Sequence, residues 1–559
     1  MKRFFSFLAF RLLPLFLLAA LAYFGYQIVQ SVGRVLSEQS LYAQRSGEYA
    51  LTATALVPSA SAEQGTGILL AGYQKPSVEQ AFVTNTPRPE VETEATSDGG
   101  AADAVTVTPA APDGSNGDTE TSAGPTATLP PLNEPGALPT IFFAESAADG
   151  MAFNGTAVPT TVAPIDRQGN DLVNILLLGQ DNEITGESLA RTDTMIIVSI
   201  NRTTGTVAML SLPRDLYVYL LNGRMDRVNT VFAWGNAMDW DGGAFFYVRQ
   251  VLLYNLGINV HYYALVDLSG FTEAIDLLGT VEVGVDCPII DYQLVGAEVP
   301  KGATRINEDG EYILPIGYYE LTGKEALWYA RSRRNSDDFD RGRRQQLLLR
   351  AAWRRARDNG LVTQLPTLWQ TATEIIETNI PFDVALSLLP YAINLNPNTI
   401  ENYKLVRTYE TIPWTTPDGD NVQVPHPERV AQLMTDFYTP PTQNQLADNE
   451  KLIRVVNGTS NADWDRVAAD RLAWDSLNAI PYGAADRADY TETMVIDYSG
   501  ESKGSRLPMI VKTLNIKPEN VIVQPDPNRT AEYEVIIGAD YEKNSCTFNV
   551  LTQEEMAAR

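Results

Sequence analysis

Val173-Asn174-Ile175-Leu176-Leu177-Leu178-Gly179 is a short apolar run that ends in Gly179-Gln180-Asp181. So short a run with one polar residue inside it reads as a strand buried on both faces of an α/β sheet. Thr194 to Ile200 and Thr206 to Leu212 are two more strand-like runs, and Asn201-Arg202-Thr203-Thr204-Gly205 between them reads as a hairpin loop. Gly243 to Leu256 and Gly270 to Leu278 carry apolar residues at helical spacing, and Val260 to Val266 and Val281 to Val285 return to strand character. Arg341 to Arg357 reads as a strong helix with Leu347, Leu348, Ala351 and Ala352 on its inner side. The predicted fold class is therefore α/β, a central mixed sheet sandwiched by helices. It occupies residues 166–440 with a helical extension.

The pattern restarts after Pro440 with a strand at Leu452 to Val456, a helix at Trp464 to Leu477 and a strand at Thr493 to Tyr498. Residues 451–545 are thus expected to form a smaller α/β domain. Before residue 166 the character is different. Pro89 to Ile165 contains 11 acidic residues and no Lys, Arg or His, with repeated Thr-Pro, Ala-Pro and Pro-Pro pairs. Such a stretch cannot bury enough apolar surface to offset its ordering entropy, so residues 30–165 read as a mostly disordered acidic linker.

Leu12 to Val29 is an 18-residue apolar run, about 27 Å of helix and close to the thickness of a bilayer's hydrocarbon core. It is expected to be an uncleaved signal-anchor, a transmembrane helix running on into the aromatic Tyr23-Phe24-Gly25-Tyr26. Lys2, Arg3 and Arg11 precede it, which places residues 1–11 in the cytoplasm and the bulk of the chain outside the cell membrane. The whole chain carries a net charge of −27, from 69 Asp+Glu against 42 Lys+Arg. A phosphate-neutralising face is missing at that scale, so nucleic acid is excluded as a main partner. Cys287 and Cys546 suggest neither a disulfide framework nor a metal-spaced pair. With only His261 and His426, histidine zinc sites and most His-dependent triads are excluded as well. Gly500-Glu501-Ser502-Lys503-Gly504 matches a nucleophile-elbow pattern but reads better as a polar strand-to-helix turn.

The chemistry rests on carboxylates and arginines in three segments. Asp181 closes the first strand, and Arg191-Thr192-Asp193 enters the next. Ser211-Leu212-Pro213-Arg214-Asp215 leaves the third strand. Trp328-Tyr329-Ala330-Arg331-Ser332-Arg333-Arg334 precedes Asp338-Phe339-Asp340-Arg341-Gly342-Arg343-Arg344-Gln345. From Leu327 to Arg357 there are ten Arg, three Asp and no Lys, net +7 in a very acidic chain. Arg presents a planar fork matched to phosphate oxygens, whereas Lys would serve as a point charge; on composition alone, a solvated helix face is the alternative. Hard oxygen ligands at Asp181 and Asp193 beside such a cluster suit Mg²⁺ and a phosphorylated anion.

Asp181, Arg191-x-Asp193, Ser211-x-Pro213-Arg214-Asp215 and Arg331-x-Arg333…Asp338-x-x-Arg341-x-x-Arg344-Gln345 together resemble the LytR-CpsA-Psr family, over about Asp171 to Ala356. Val455-Val456-Asn457-Gly458-Thr459 and Ile537-Gly538-Ala539-Asp540-Tyr541 resemble that family's frequent C-terminal domain. The resemblance implies a transferase of cell wall biogenesis. It would take a glycopolymer from a polyprenyl-pyrophosphate carrier and join it by a phosphodiester to peptidoglycan, releasing polyprenyl phosphate. It implies Mg²⁺ on Asp181 and Asp193. Arg191, Arg214, Arg227, Arg331, Arg333 and Arg341 would grip the pyrophosphate, with Gln345 as a polar contact. Asp338, with Arg341 and Arg214, would act on the acceptor hydroxyl, and an apolar lipid pocket would lie between sheet and helices. The alternatives are an envelope polyisoprenoid-phosphate-binding protein or pyrophosphatase without transfer, and a transcriptional attenuator, against which the anchor and the charge both argue. Two departures from the family stand out. Arg227-Val228-Asn229-Thr230 takes the place of a Lys-led element, and Asp340 replaces a usual Gly, adding a negative charge near the expected phosphates. Arg331 and Arg333 are expected on an extended segment, both facing the ligand, with Arg334 pointing away.

Overall fold

The computed structural model describes residues 138–139, 141, 154–181, 191–544 and 546. All of them belong to one unit, Gly72–Arg559. The apolar run Leu12 to Val29 lies outside the described residues. Among those that are described, no helix is long and apolar enough to cross a membrane.

The opening run forms β1 (Leu172–Gln180), followed by β2 (Thr192–Asn201), β3 (Thr206–Ser211), the short hairpin strands β4 (Tyr217–Tyr219) and β5 (Met225–Arg227), and β6 (Tyr262–Val266). The central sheet has six strands in the order Glu377–Thr378, β6, β1, β2, β3, Ile400–Lys404. It is mixed. β1 pairs antiparallel with β2 and β2 with β3, while β1 runs parallel to β6 and β3 parallel to Ile400–Lys404. The parallel partners are reached through helical crossovers, as a parallel pair requires. Leu172, Leu176 and Leu178 are fully buried. On the other face of β1, Val173 and Ile175 pack with Leu388 of the helix Phe382–Asn394. Leu177 there joins Ile196, Leu349 and Trp353 against the helix Asp338–Asp358. The fold is thus α/β with a central mixed sheet and helices on it. Burying each Leu fully contributes roughly 1.5–3 kcal/mol.

The arginine-rich helix starts at Asp338, three residues before Arg341, because Asp337 caps it by accepting from the backbone N–H groups of Phe339 and Asp340. Acidic residues in its first turn and Arg355 and Arg357 in its last complement the helix dipole. A Cβ on Gly342 would lie 3.1 Å from the Ser211 Cβ, so glycine lets this helix lie close against the end of β3.

A second sheet has five strands in the order Ala479–Ala484, Ile453–Asn457, Tyr533–Ile537, Met494–Asp497, Val521–Val523. The helix Trp464–Trp474 packs on it through Trp464, Val467 and Leu472. This helix also faces the arginine helix: Arg354 pairs with Asp470 at 2.9 Å, and Arg350 donates to the Ala473 carbonyl.

Three expectations are corrected here. The linker does not run to residue 165. Val162 and Ile165 donate backbone hydrogen bonds to the Tyr254 and Gly257 carbonyls, and the Tyr254 hydroxyl donates to Pro159. Pro- and Thr-rich composition suggests disorder, but backbone groups docked on a folded helix end need no apolar side chains. The two cysteines are joined. Cys287 and Cys546 form a disulfide with Cα atoms 5.2 Å apart, a proximity that their separation of 259 residues conceals. Arg331 is not extended but closes the helix Gly323–Arg331, which starts at a Thr322/Glu325 capping box.

Candidate active site

The site gathers at the carboxyl end of β1, where a parallel β-β pair leaves a crevice open to ligand. Gly179 opposes Thr194 and Gln180 opposes Thr192, so Asp193 is the extra residue of a β-bulge. A bulge re-aims one side chain. The Asp193 carboxylate accepts from Arg214 Nη1 at 2.7 Å and from Asn229 Nδ2 at 2.9 Å. Burial opposes its ionisation, but the Arg214 and Arg341 guanidiniums outweigh burial and hold the carboxyl below the usual carboxylate range. Asp181 behaves in the opposite way: burial, then the Asp193 charge, raise it.

Asp338 lies at the start of the arginine helix. It pairs with Arg341 at 2.6 Å and accepts from the Arg214 backbone N–H at 3.1 Å. Arg341 also donates to the Asp193 backbone carbonyl at 2.9 Å. The sheet end, the β3 exit and the helix start are therefore locked by one ionic lattice of Asp193, Arg214, Asp338 and Arg341. Ser332, after the helix Gly323–Arg331, turns the chain, and Asp291 holds the turn by accepting from the Arg333 and Arg334 backbone N–H groups. Burial lowers the pKa of Arg331 and Arg333, and both line one cavity with Asp181, Asp193, Arg214 and Arg341. Gln345 lines it too, donating to Thr194 Oγ1 and the Ala330 carbonyl.

The cavity has a volume of about 830 Å³. Its body is apolar, lined among others by Leu177, Ile196, Phe271, Ile275, Leu348 and Ile376. These residues are not identifiable from the sequence as pocket residues, because apolar core and apolar pocket share one periodicity. A greasy channel that also presents arginines and carboxylates suits a lipid carrying a phosphorylated head.

Two candidate residues stand elsewhere. Arg191 is exposed at the start of β2 and acts electrostatically on Asp181 without lining the cavity. Arg227 is drawn to Asp215 at 3.5 Å and Asp420 at 2.9 Å, also outside the cavity lining. Asn229 is the positioning residue missed in the candidate set, although the Arg227-Val228-Asn229-Thr230 segment contains it. Asp340 does not face the site. It is 3% exposed and pairs with Arg343 at 3.0 Å and Arg344 at 2.9 Å. Arg343 binds Asp286 through both Nη atoms, Arg344 donates to the Tyr329 and Ser332 carbonyls, and Arg350 is buried against backbone carbonyls. Part of the arginine cluster is therefore internal scaffolding, neither a solvated face nor a phosphate clamp. Arg334 turns its guanidinium to Glu311 at 2.8 Å. His261 is a core residue whose Nδ1 accepts from the Asn174 N–H, so it is not available to a catalytic triad.

The described residues hold no group of three or more His, Cys, Asp or Glu suited to a metal ion. Asp181 and Asp193 do line one cavity, where the Asp193 charge acts on Asp181, beside arginines that would hold phosphate. Mg²⁺ needs only one or two carboxylates when phosphate oxygens complete its shell, so these residues fit the ion.

Comparison with known proteins identifies the family. The model of the LytR_cpsA_psr family matches residues 143–436. The polyisoprenyl-teichoic acid–peptidoglycan teichoic acid transferase TagU of Oceanobacillus iheyensis is 30% identical over 251 residues, covering 42% of this chain and 72% of TagU. The regulatory protein MsrR of Staphylococcus aureus is 30% identical over 219 residues, covering 39% of this chain and 59% of MsrR. Among solved structures, Bacillus subtilis TagV aligns with a TM-score of 0.39 and 23% identity, over 48% of this chain and 98% of TagV. Since the family model covers more than half of the residues, including every segment of the site, this chain belongs to the LytR-CpsA-Psr family.

Proposed function

We propose that this protein is a membrane-anchored phosphotransferase that moves a glycopolymer from a polyprenyl-pyrophosphate carrier to peptidoglycan. The observation that carries the reading is the joining of an apolar cavity of about 830 Å³ to a mouth of Arg214, Arg331, Arg333 and Arg341. The transferase name of TagU agrees with it. The prenyl chain occupies the apolar body, and the pyrophosphate lies among the arginines. An acceptor hydroxyl attacks the glycan-side phosphorus. As the new P–O bond forms, the bond to polyprenyl phosphate breaks, and that monoester leaves carrying its electron pair. Asp338, held by Arg214 and Arg341, which line the cavity, receives the hydroxyl proton. The arginines neutralise the charge that spreads over the phosphate oxygens, which supplies most of the catalysis in such transfers. Asp181 and Asp193 would hold Mg²⁺, whose contribution when bound is further neutralisation of the pyrophosphate. Leu12 to Val29 tethers the head outside the membrane.

The test supplies the full-length protein with a polyprenyl-pyrophosphate-linked oligosaccharide, with and without peptidoglycan and Mg²⁺. A phosphodiester product that requires peptidoglycan is expected. Release of polyprenyl phosphate at the same rate without acceptor, and no phosphodiester, would instead make the protein a pyrophosphatase.

A further inference from the structure

A second cleft, of about 220 Å³, lies beside the mouth and shares no lining residue with the lipid cavity. The β4–β5 hairpin, Asn154 and the hairpin formed by Thr411–Thr415 and Asn421–Pro425 form its walls. The two hairpins are joined by a backbone hydrogen bond from Gln423 N to Asp215 O at 2.8 Å and by a bridge between Leu216 and Gln423. Trp414, 39% exposed, lays its ring edge-on to the lining Tyr217 at 5.6 Å. Main-chain pairing and a ring contact therefore set the shape of this cleft.

Its polar groups are of both kinds, and several are unused. Asp226 accepts from Trp234 Nε1, and Asp420 is taken by Arg227. Asp418 makes no hydrogen bond or ion pair to the described residues. The Arg224 guanidinium lies 4.8 Å over the Trp234 ring without a carboxylate partner among the described residues. Asn154 donates to Tyr217 and to the Met225 carbonyl, and its buried Oδ1 accepts from none of the described residues. Three carboxylates repel an anion, and Arg224 opposes a bare cation. A neutral ligand that both donates and accepts, and presents a C–H face to an aromatic ring, satisfies all of these groups. The volume is below the roughly 300–1,000 Å³ of pockets for drug-sized ligands, so it suits a single ring. We propose that this cleft binds one neutral sugar ring of the acceptor glycan, an assignment that rests on the phosphotransferase reading. Its wall leads directly to the chemistry. Asp420 holds Arg227, Arg227 reaches Asp215 at 3.5 Å, Asp215 reaches Arg214 at 3.7 Å, and the Arg214 N–H is bound by Asp338.

The test is direct binding, independent of turnover. The full-length protein in detergent is titrated with a neutral tetramer of N-acetylglucosamine and with oligosaccharides cut from peptidoglycan. Saturable binding is expected, weakened at least tenfold in Trp414→Ala and in Asp418→Asn. Tyr482→Ala, on an exposed strand of the second sheet, serves as the control and should bind as wild type. Absence of saturable binding in the wild type, or equal binding in wild type and both cleft variants, overturns the assignment. Failure of the phosphotransferase reading would show separately, as loss of acceptor-dependent turnover.

Discussion

Arg331 and Arg334 lie three residues apart in sequence, yet they have different partners. Both border the cavity, but the charge of Arg331 acts on Asp181, while the Arg334 guanidinium is tied to Glu311 at 2.8 Å. Lys cannot reproduce a forked contact to phosphate. Losing one charge-assisted bond costs on the order of 2 kcal/mol, about thirtyfold in rate. Arg331→Lys should therefore lower lipid turnover about thirtyfold and Arg334→Lys hardly at all, with thermal melts of both close to wild type. Equal small effects would reduce the cluster to a charged surface. The carboxylate pair makes a second test. Burial and the Asp193 charge raise Asp181, so it keeps its proton to a higher pH than an ordinary Asp at about 3.9. Turnover should then fall as the pH drops through that raised value. In Asp193→Asn, an NMR titration of the Asp181 carboxyl should move its inflection downward, because a like charge has been removed. An unmoved inflection would separate the two groups.

The arginine helix gives some side chains to the candidate site and others to the interior. Asp338 and Arg341 face the site, while Asp340, Arg343 and Arg344 pair with one another in the interior, where Arg343 also binds Asp286, which lies 3.6 Å from Arg471 of the second sheet's helix. Burial opposes the charge on Asp340, but Arg344 and Arg343 outweigh it and hold the carboxyl far below its ordinary value. A depressed carboxylate stabilises the fold above the unfolded value of about 3.9 and loses that contribution as pH falls below it. Asp340→Asn breaks a buried pair and leaves two guanidiniums short of a partner, a change that costs about 3–5 kcal/mol. Chemical denaturation at pH 7 should show that loss, and the gap from wild type should narrow as the pH falls below about 4. A gap independent of pH would show that packing, not charge, supports the helix.

Across the molecule, the five-stranded sheet is attached to the catalytic sheet by the Arg354–Asp470 pair and by the Cys287–Cys546 bond. A bond closing a loop of 259 residues restricts the unfolded chain by roughly 5 kcal/mol in the chain-entropy model. Reducing agent, or Cys546→Ser, should lower the melting temperature of the full-length protein by several degrees, with lipid turnover retained, since neither cysteine lines the large cavity. An unchanged melt would show that the bond contributes nothing to stability. Topology can be checked at this scale too. Protease added to wall-less intact cells should release the head; protection until lysis would reverse the orientation deduced from Lys2, Arg3 and Arg11.

Local periodicity and residue chemistry suffice for much of this protein. The period-two and period-3.6 patterns place β1 to β3 and the main helices within a few residues. Arginine in place of lysine, next to Asp181 and Asp193, points to phosphate before any fold is known. Helix boundaries slip where a cap such as Asp337 starts the first turn early, because capping is satisfied by one side chain and leaves no periodic trace. What only the tertiary structure decides is the sorting of identical residue types. Asp338 and Asp340, or Arg341 and Arg343, sit two positions apart on a helix and therefore point to different sides, one to the candidate site and one to the interior. The cavity, the second cleft and the Cys287–Cys546 bond likewise join segments far apart in the chain. Contacts of that kind depend on how sheets and helices pack in three dimensions, which no local pattern encodes.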